Sequence, residues 1–196
     1  MKKTTIGYAM TGSFCTFEAN LLQMEELIRR GYDVLPVLSF HAGDLDTRFM
    51  EACHLRQRLK DITGNEPIDT IQAAEPIGPK KMTDVFLISP ASGNTIAKLV
   101  NGIYDTPVLL GAKSHLRNDL PLVIAVSTND GLSMAAQNIG RLLNWRNVYF
   151  VPFRQDDPVK KPRSLVADFS LISKTIASAL CGIQLQPLLA AQEKRE

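Results

Sequence analysis

The amino-acid sequence predicts one three-layer α/β/α domain built on an open parallel sheet. Short uninterrupted apolar runs, such as residues 85–88 and 122–126, have the length and composition of strands that are buried on both faces. Between these runs, apolar residues recur at helical spacing, so strands and helices alternate along the chain. The length of 196 residues suits a single domain over residues 1–196, with residues 182–196 expected to form a C-terminal tail.

The first predicted unit is a strand, a helix and a second strand. Residues 4–9 are β-prone, and the apolar period then changes from two to 3.6, which gives a helical apolar face from Phe17 to Ile28. Gly31 can end this helix in a left-handed conformation. Residues 33–40 supply the second strand, and we expect the two strands to be parallel and joined by a right-handed crossover.

The alternation continues after a less regular stretch. Residues 47–59 predict a polar helix, residues 62–65 a turn, and residues 75–79 a break, because two prolines and a glycine interrupt any helix there. The remaining predicted elements are strands at 84–89, 122–127 and 148–151 and helices at 96–103, 107–116, 134–143 and 165–180. This order is typical of a flavodoxin-like or Rossmann-like fold, in which ligands bind at the carboxyl ends of the strands where the strand order reverses.

Composition excludes several functional classes. The chain has 22 basic and 20 acidic residues and a formal net charge of +2, which does not fit a polybasic nucleic-acid arm or an acidic tail. No apolar run approaches the roughly 18 residues that span a bilayer. The N-terminal apolar run is broken at residues 11–13, unlike a signal peptide, so we expect a cytosolic protein with reduced thiols. The three cysteines and three histidines are scattered, so no metal site is expected.

Three polar segments follow predicted strands and therefore belong to the edge where ligands bind. Residues 11–16 place a glycine, hydroxyl groups and free backbone N–H groups at a helix start, which suits a phosphate or a carboxylate. This loop is neither a P-loop nor a dinucleotide fingerprint. A glycine turn in which Ser13 or Thr16 caps the helix would explain it equally well.

The second and third segments strengthen the case for a pocket. Residues 90–95 again place hydroxyl, glycine and amide groups at a helix start, and two such helix starts at one edge predict a pocket for negatively charged groups. Residues 127–130 add Asn129, whose amide suits a ring heteroatom or a carboxylate. An ordinary strand-to-helix turn would have the same residues.

Residues 90–95, Pro-Ala-Ser-Gly-Asn-Thr, followed by Ile-Ala-Lys-Leu, resemble the signature of the homo-oligomeric flavin-containing cysteine decarboxylases and the flavin prenyltransferases. In that superfamily, the loop after the first strand and the Pro-Ala-Ser-x-Asn-Thr loop embrace FMN between subunits. The resemblance implies a homo-oligomer and FMN as the cofactor. The cofactor-binding residues that it implies are Gly12, Ser13, Phe14, Pro90, Ala91, Ser92, Asn94, Thr95, Ser127, Thr128 and Asn129.

Further segments narrow the resemblance to the family of dipicolinate synthase B subunits. These segments are residues 11–18, 46–49, 74–80, 127–130 and 155–162. The resemblance extends over about residues 4–187 and implies an NAD(P)-type A subunit as partner. It also implies that the two subunits form dipicolinate (pyridine-2,6-dicarboxylate) from a tetrahydrodipicolinate-type precursor, in the cytoplasm of the mother cell of a sporulating bacterium.

The chain departs from the decarboxylases at two places. Residues 75–78 read Glu-Pro-Ile-Gly where the decarboxylases carry a catalytic histidine in a His-x-x-Leu motif, and of their Pro-Ala-Met-Asn motif only Asn129 is kept. The catalytic residues are therefore unknown. Two alternative functions stay open, a stand-alone FMN-dependent decarboxylase or prenyltransferase relative and a non-catalytic binding or scaffolding subunit.

A dicarboxylate substrate needs fixed positive charge, and an arginine matches a carboxylate with two parallel hydrogen bonds. The candidates are Arg48, Lys80, Lys160 and Lys161, with Asn129 as a polar partner. Each of these cations has an alternative interpretation as a solvated surface charge.

Two further features have a structural interpretation. Cys15 lies within the first loop, but no histidine stands at a fixed distance to activate it, which favours packing over nucleophilic catalysis. Trp145 and the aromatic residues at 149–153 are predicted to belong to the core and to a subunit interface rather than to a cofactor stack.

Overall fold

The computed structural model describes residues 3–190 of the chain. Its strands are β1 (Thr5–Met10), β2 (Asp33–Leu38), β3 (Val85–Ala91), β4 (Leu122–Thr128), β5 (Val148–Phe150), β6 (Phe153–Asp157) and β7 (Lys161–Ala167). Its α-helices are α1 (Phe17–Arg29), α2 (Phe40–Asp44), α3 (Ala52–Thr63), α4 (Ile71–Ala74), α5 (Gly93–Val100), α6 (Pro107–Leu116), α7 (Met134–Leu142) and α8 (Ile172–Leu180). Short 3₁₀ helices lie at Phe14–Thr16, Glu75–Ile77 and Phe169–Leu171.

All seven strands belong to one sheet, and its strand order reverses at β1. The order is β2, β1, β3, β4, β7, β6, with β5 paired to β4 beside this path. β1 lies between β2 and β3, and these pairs are parallel, as are the pairs of β4 with β3 and with β5. The loops that follow β1 and β3 are therefore neighbours at the carboxyl edge of the sheet, where such folds bind ligands.

Two groups of helices pack around the sheet. α1 contacts α3 and α8, whereas α5 contacts α6 and α7. All of β3 is buried, and the core includes Ile6, Phe86 and Ile124 with no exposed side-chain surface. The predicted single-domain, three-layer, Rossmann-like fold is confirmed.

The predicted helix over residues 165–180 is wrong in its first half, and the sheet is not wholly parallel. Residues 153–167 form a β-hairpin in which β7 pairs antiparallel with both β6 and β4. Leu165 has helical spacing to the apolar residues of α8, but its backbone bonds to the sheet instead. The Asp168 side chain accepts from the backbone N–H of Ser170 at 3.1 Å, which starts the helical segment there.

The stretch between β2 and β3 also differs from the prediction. The polar helix runs over Ala52–Thr63 rather than 47–59, because the Thr47 hydroxyl accepts from the N–H groups of Phe49 and Met50 and holds a turn. α2 and α4 were not predicted, and each begins at a hydroxyl cap, Ser39 and Thr70 respectively.

The first part of the predicted tail is bonded to the sheet. The Gln184 side chain accepts from the N–H of Phe150 and donates to its carbonyl, both at 2.7 Å. The N–H of Ala190 donates to the Phe153 carbonyl at 3.0 Å. Residues 191–196 of the predicted tail lie outside the described residues.

A buried histidine joins α6 to the strands. His115 is 1% exposed, with Nδ1 at 2.9 Å from the Thr83 hydroxyl and Nε2 at 3.0 Å from the Pro121 carbonyl. Burial lowers the pKa of His115 to about 4, although the Pro121 carbonyl and the Asp84 carboxylate act in the opposite direction. The folded protein therefore holds this ring neutral.

We predict that acidification destabilises the protein through His115. Between pH 6.5 and about 4 the unfolded chain binds a proton at this residue and the folded protein does not. The free energy of unfolding should therefore fall as the pH drops through this window, by up to about 3 kcal/mol. Urea unfolding at pH 7 and pH 5 measures the loss. His115→Gln should reduce it, and His54→Gln, at an exposed histidine, should retain it; equal losses in both variants would contradict the assignment.

Candidate functional site

One buried hydroxyl holds the first two loops together. Thr11 follows β1 and is 1% exposed. Its Oγ1 donates to the Pro90 carbonyl at 2.7 Å and accepts from the N–H of Ser92 at 3.1 Å. The loop after β1 is therefore bonded to the backbone on both sides of Ala91, directly before the α5 helix that Ser92 caps.

The first loop is also bonded to the third loop. Ser13 has a left-handed backbone, with φ of 89°, and its Oγ donates to the Ser127 carbonyl at 2.6 Å. Within the third loop, the Thr128 hydroxyl donates to the Asp130 carboxylate. The three polar segments that follow β1, β3 and β4 thus form one connected rim.

A buried polar network supports this rim from inside the fold. The Asn20 Oδ1 atom accepts from the Tyr8 hydroxyl at 3.0 Å and from the Ser89 hydroxyl at 2.5 Å, and its amide donates to the Thr16 carbonyl at 2.8 Å. Burial raises the pKa of Tyr8 above its ordinary value, so this hydroxyl stays protonated and donates. The network joins β1, β3 and the start of α1.

A cleft of about 830 Å³ lies on one side of α5. The β6–β7 hairpin forms its far wall because β7 pairs with the carboxyl end of β4 at Ser127 and Thr128. The residues that line this first cleft are Ser13, Cys15, Thr16, Ser92, Gly93, Asn94, Ser127, Thr128, Asn129, Asp130, Asp156, Lys161, Ser164, Leu165 and Val166. Its charged groups are two carboxylates and one ammonium group.

A second cleft of about 420 Å³ lies on the other side of α5. Its lining residues are Gly12, Ser39, Phe40, His41, Ser92, Asn94, Thr95, Lys98, Asp105, Thr106 and Leu109. The Lys98 ammonium donates to the Asp105 carboxylate at 2.7 Å, so this cleft has no net charge when its histidine is neutral.

The start of α5 separates the two clefts and offers donors to both. Ser92 and Asn94 line both clefts. Within residues 3–190, the N–H groups of Gly93 and Asn94 have no acceptor, as expected for the first turn of a helix. A Cβ atom on Gly93 would lie 2.7 Å from Thr128 Oγ1 and 2.8 Å from Asp130 Oδ1, so this close approach to the third loop needs glycine.

The implied cofactor residues divide among three positions. Ser13, Ser127, Thr128 and Asn129 line the first cleft, Gly12 and Thr95 line the second, and Ser92 and Asn94 line both. Phe14 packs against Phe17 with ring centroids 5.3 Å apart. Pro90 and Ala91 are buried in β3. These last three therefore line neither cleft.

The predicted substrate cations are not brought together. Arg48 is exposed and stacks over the Phe49 ring, with its guanidinium carbon 4.8 Å from the ring centroid. Lys80 lies before β3, which places it towards the amino ends of the strands. Neither residue lines a cleft, nor does Lys160, whereas Lys161 lines the first cleft.

Lys161 is a fixed cation at the mouth of the first cleft. Its ammonium group donates to the Asp156 carboxylate at 2.7 Å. This hydrogen bond and the charge of Asp156 raise the pKa of Lys161, with smaller contributions from Cys15 and Asp157. Lys161 is therefore protonated throughout the physiological pH range.

Sequence reasoning did not identify several residues of the second cleft. Ser39 follows β2 and caps α2, the same pattern as in the other loops, whereas the sequence predicts a second strand that continues through Ser39 to residue 40. His41 and Lys98 carried no local pattern, and only the packing of α2, α5 and α6 brings them to one cleft.

The described part of the chain shows no disulfide, no metal-ligand group and no membrane-spanning helix. Cys15, Cys53 and Cys181 are exposed free thiols. Among residues 3–190 no three His, Cys, Asp or Glu side chains form a group suited to a metal ion. No helix in this range has both the length and the apolar character needed to cross a bilayer.

We predict that Thr11→Val loosens the rim. The valine has nearly the same shape but leaves the Pro90 carbonyl and the Ser92 N–H without their partner. This loss should lower the free energy of unfolding by about 1–3 kcal/mol. Hydrogen exchange should show faster exchange of the Ser92 amide. Thr175→Val is the matched control, because that buried hydroxyl bonds only to Leu171 in its own helical segment. Unchanged protection of Ser92 would contradict the role of Thr11.

Comparison with known proteins identifies the family of the chain. Residues 1–178 match the family model described as Flavoprotein. The dipicolinate synthase B subunit of Bacillus subtilis (strain 168) is 46% identical over 189 residues, which cover 96% of this chain and 94% of that protein. The crystal structure of the dipicolinate synthase B subunit from Bacillus halodurans C is 42% identical and covers 97% of both chains, with a TM-score of 0.89.

More distant structures share the fold. The FMN-dependent cysteine decarboxylase SpaF is 20% identical, covers 92% of this chain and 96% of its own, and has a TM-score of 0.68. The family model and the two dipicolinate synthase B subunits, at 46% and 42% identity, together establish the family of the chain. The chain belongs to the Flavoprotein family, in the branch that resembles the dipicolinate synthase B subunits.

Proposed function

We propose that this chain acts as the B subunit of a dipicolinate synthase and forms pyridine-2,6-dicarboxylate together with an NAD(P)-type A subunit. The names of its two similar relatives support this function. The observation that carries it is the start of α5, whose free N–H donors stand between two clefts at the reversal of strand order. We further propose that the chain works as a homo-oligomer in the mother cell of a sporulating bacterium.

The first cleft suits a dicarboxylate precursor. Carboxylates are bound by N–H groups at helix starts and by cations. Here the donors are the N–H groups of Gly93 and Asn94, and the cation is Lys161. Asp130 and Asp156 oppose a dianion, but both carboxylates already accept hydrogen bonds, from Thr128 and Lys161 respectively. A substrate carboxylate would share Lys161 with Asp156, and the exposed Asn129 amide lines the same cleft as a further donor.

The residues of the second cleft fit FMN, the cofactor that the family likeness implies. Its terminal phosphate needs room and N–H or hydroxyl donors at one end of a longer pocket. A Cβ atom on Gly12 would lie 3.8 Å from the nearest other side-chain atom, the Ser92 Cβ, so the glycine leaves space beside α5. Ser39, Thr95 and the Lys98 ammonium line the same space. FMN, when bound, supplies a centre that accepts or returns a pair of electrons.

The proposed reaction is a dehydrogenation of a tetrahydrodipicolinate-type ring. For each double bond formed, a hydride passes to the nicotinamide of the A subunit and a proton leaves the ring. The chain's own residues would hold the carboxylates, orient the ring and accept the proton. The substrate would lie in the first cleft, where the groups that can accept a proton are the Asp130 and Asp156 carboxylates; His41 lines the second cleft, on the other side of α5.

An FMN-dependent decarboxylase relative is the second candidate, because the chain shares its fold with SpaF. The segment where the resemblance expects a catalytic histidine is the 3₁₀ helix Glu75–Ile77, which has none. A non-catalytic scaffolding subunit is the third candidate. These three functions differ in what the purified chain does alone.

The deciding experiment purifies the chain with and without its A subunit, records the absorbance spectrum and measures dipicolinate formation with NAD and with NADP. We expect product from the mixture and none from this chain alone. Gly12→Ala should fold normally but weaken binding of FMN by about tenfold, because the added Cβ atom occupies the space beside α5. Gly140→Ala is the matched control, because a Cβ atom there meets nothing within 4 Å.

Each contrary result has a definite meaning. Full dipicolinate formation by the A subunit alone would favour a scaffolding role for this chain. A flavin spectrum together with decarboxylation of a cysteine-containing substrate by this chain alone would favour the decarboxylase. If Gly12→Ala behaves like the wild type, the second cleft is not the FMN site.

We predict that Lys161→Gln raises the KM for the dicarboxylate precursor. Loss of the ammonium group at the cleft mouth should raise KM by up to about tenfold with little change in unfolding free energy, because exposed ion pairs contribute about 0–1 kcal/mol. Steady-state kinetics of the two-subunit enzyme measure the change. Lys160→Gln is the matched control, since Lys160 is exposed in the same hairpin and lines neither cleft. Equal KM values for the two variants would contradict the role of Lys161.

A further inference from the structure

A groove of about 450 Å³ lies at the opposite edge of the sheet from the two clefts. One side is the end of α6 and the residues after it, which precede β4. The other side is the turn at residues 145–147, which precedes β5. The groove therefore lies at the amino ends of these parallel strands, and none of its lining residues lines either cleft.

The groove carries an excess of positive charge. Lys113, Arg117 and Arg146 line it against one carboxylate, that of Asp119. Arg117 and Arg146 are exposed, and neither forms an ion pair with any residue between 3 and 190. Two guanidinium groups whose donors bond to no residue between 3 and 190 can each bind a carboxylate or a phosphate with paired hydrogen bonds.

The helix dipole accounts for only part of this charge. Lys113 is in the last turn of α6 and Arg117 is its C-terminal cap, where cations offset the partial negative charge of the helix end. Arg146 lies four residues beyond α7, in the turn before β5, outside the turn where that effect acts. Its charge is therefore available to a ligand.

Two aromatic rings accompany these cations. Tyr104 and Trp145 line the groove and are half-buried. The Lys113 ammonium lies 4.7 Å from the centroid of the Tyr104 ring, which places positive charge above that ring. Within the described residues, the indole N–H of Trp145 donates to no acceptor, so it is a further donor at the groove. Flat faces beside guanidinium groups suit a ligand that is itself planar and anionic.

We propose that this groove binds small planar aromatic anions with two or more negative charges. The ring would stack on Trp145, and the charges would bind Arg117 and Arg146. Two kinds of metabolite have this chemistry, a pyridine dicarboxylate and an adenine nucleotide. Binding of a pyridine dicarboxylate rests on the proposed function, because this ligand would be the reaction product bound at a second site. Binding of an adenine nucleotide does not rest on the proposed function.

The test uses the fluorescence of Trp145, the one tryptophan of the chain. The full chain is titrated separately with pyridine-2,6-dicarboxylate, AMP, glutarate, nicotinamide and inorganic phosphate. We expect a saturable change in emission with the first two or with one of them, which identifies the source. Nicotinamide is planar without the charges, and glutarate has two charges without the ring, so both should have little effect.

Variants with changed cations test whether the ligand binds at this groove rather than in the clefts. Arg117→Gln with Arg146→Gln should raise the Kd of the active ligand by about tenfold or more, equal to about 1.4 kcal/mol. Arg29→Gln with Lys174→Gln removes two exposed cations elsewhere and should leave the Kd unchanged. Lys161→Gln should also leave it unchanged. Thermal unfolding of each variant checks that it is folded.

Three results would overturn the proposal. These are no saturable change with either planar anion, an equal response to glutarate or phosphate, and an unchanged Kd in the folded double arginine variant. Trp145→Leu, followed by calorimetry, gives a second measurement because it removes both the ring and the indole donor; an unchanged Kd there would also contradict stacking and donation at this position. If the two-subunit assay yields no dipicolinate, the proposed function fails, but the AMP titration still decides whether the groove binds an anion.

Discussion

The position of β1 between β2 and β3 is the constraint on which the candidate site depends. Because all three strands are parallel, the loops after β1 and β3 must meet at the same edge. The Thr11 hydroxyl then bonds the two loops to each other, and the Ser13 hydroxyl bonds the first loop to the third. Each bond contributes only about 1 kcal/mol, but together they fix where the first turn of α5 points its free donors.

The sequence predicted those parts of the fold that depend on local chemistry. α6 begins at Pro107 as expected, because Thr106 caps it and proline suits a first turn. The strands buried on both faces were also recognisable from their apolar runs. The β6–β7 hairpin was not, because its second strand continues the apolar spacing of α8, and only pairing with residues distant in sequence distinguishes a strand there.

The candidate site was predictable where its residues lie next to strand ends. Ser92, Asn94 and Thr128 are examples, and their neighbourhood follows from the sheet. Side chains that reach the clefts from elsewhere carry no such signal. Lys161 reaches the first cleft because it lies in the β6–β7 hairpin, which the sequence did not indicate. His41 reaches the second cleft because the five-residue helix α2 packs there. Arg48 and Lys80 were predicted from their charge and from their place in segments that carry the family resemblance, and neither property specifies an edge of the sheet.

The two edges of a parallel α/β sheet differ in how they bind anions. At the carboxyl edge, helix starts supply positive partial charge from the backbone, so a small residue such as Gly12, which leaves space beside α5, is enough for a ligand to approach. At the amino edge, helix ends are negative, and cations such as Lys113 are needed to offset them before any anion is attracted. The anion site that we propose there therefore relies on arginine and aromatic side chains, among them Arg146 and Trp145. The same ligand charge thus requires glycine and hydroxyl residues at one edge and guanidinium groups at the other.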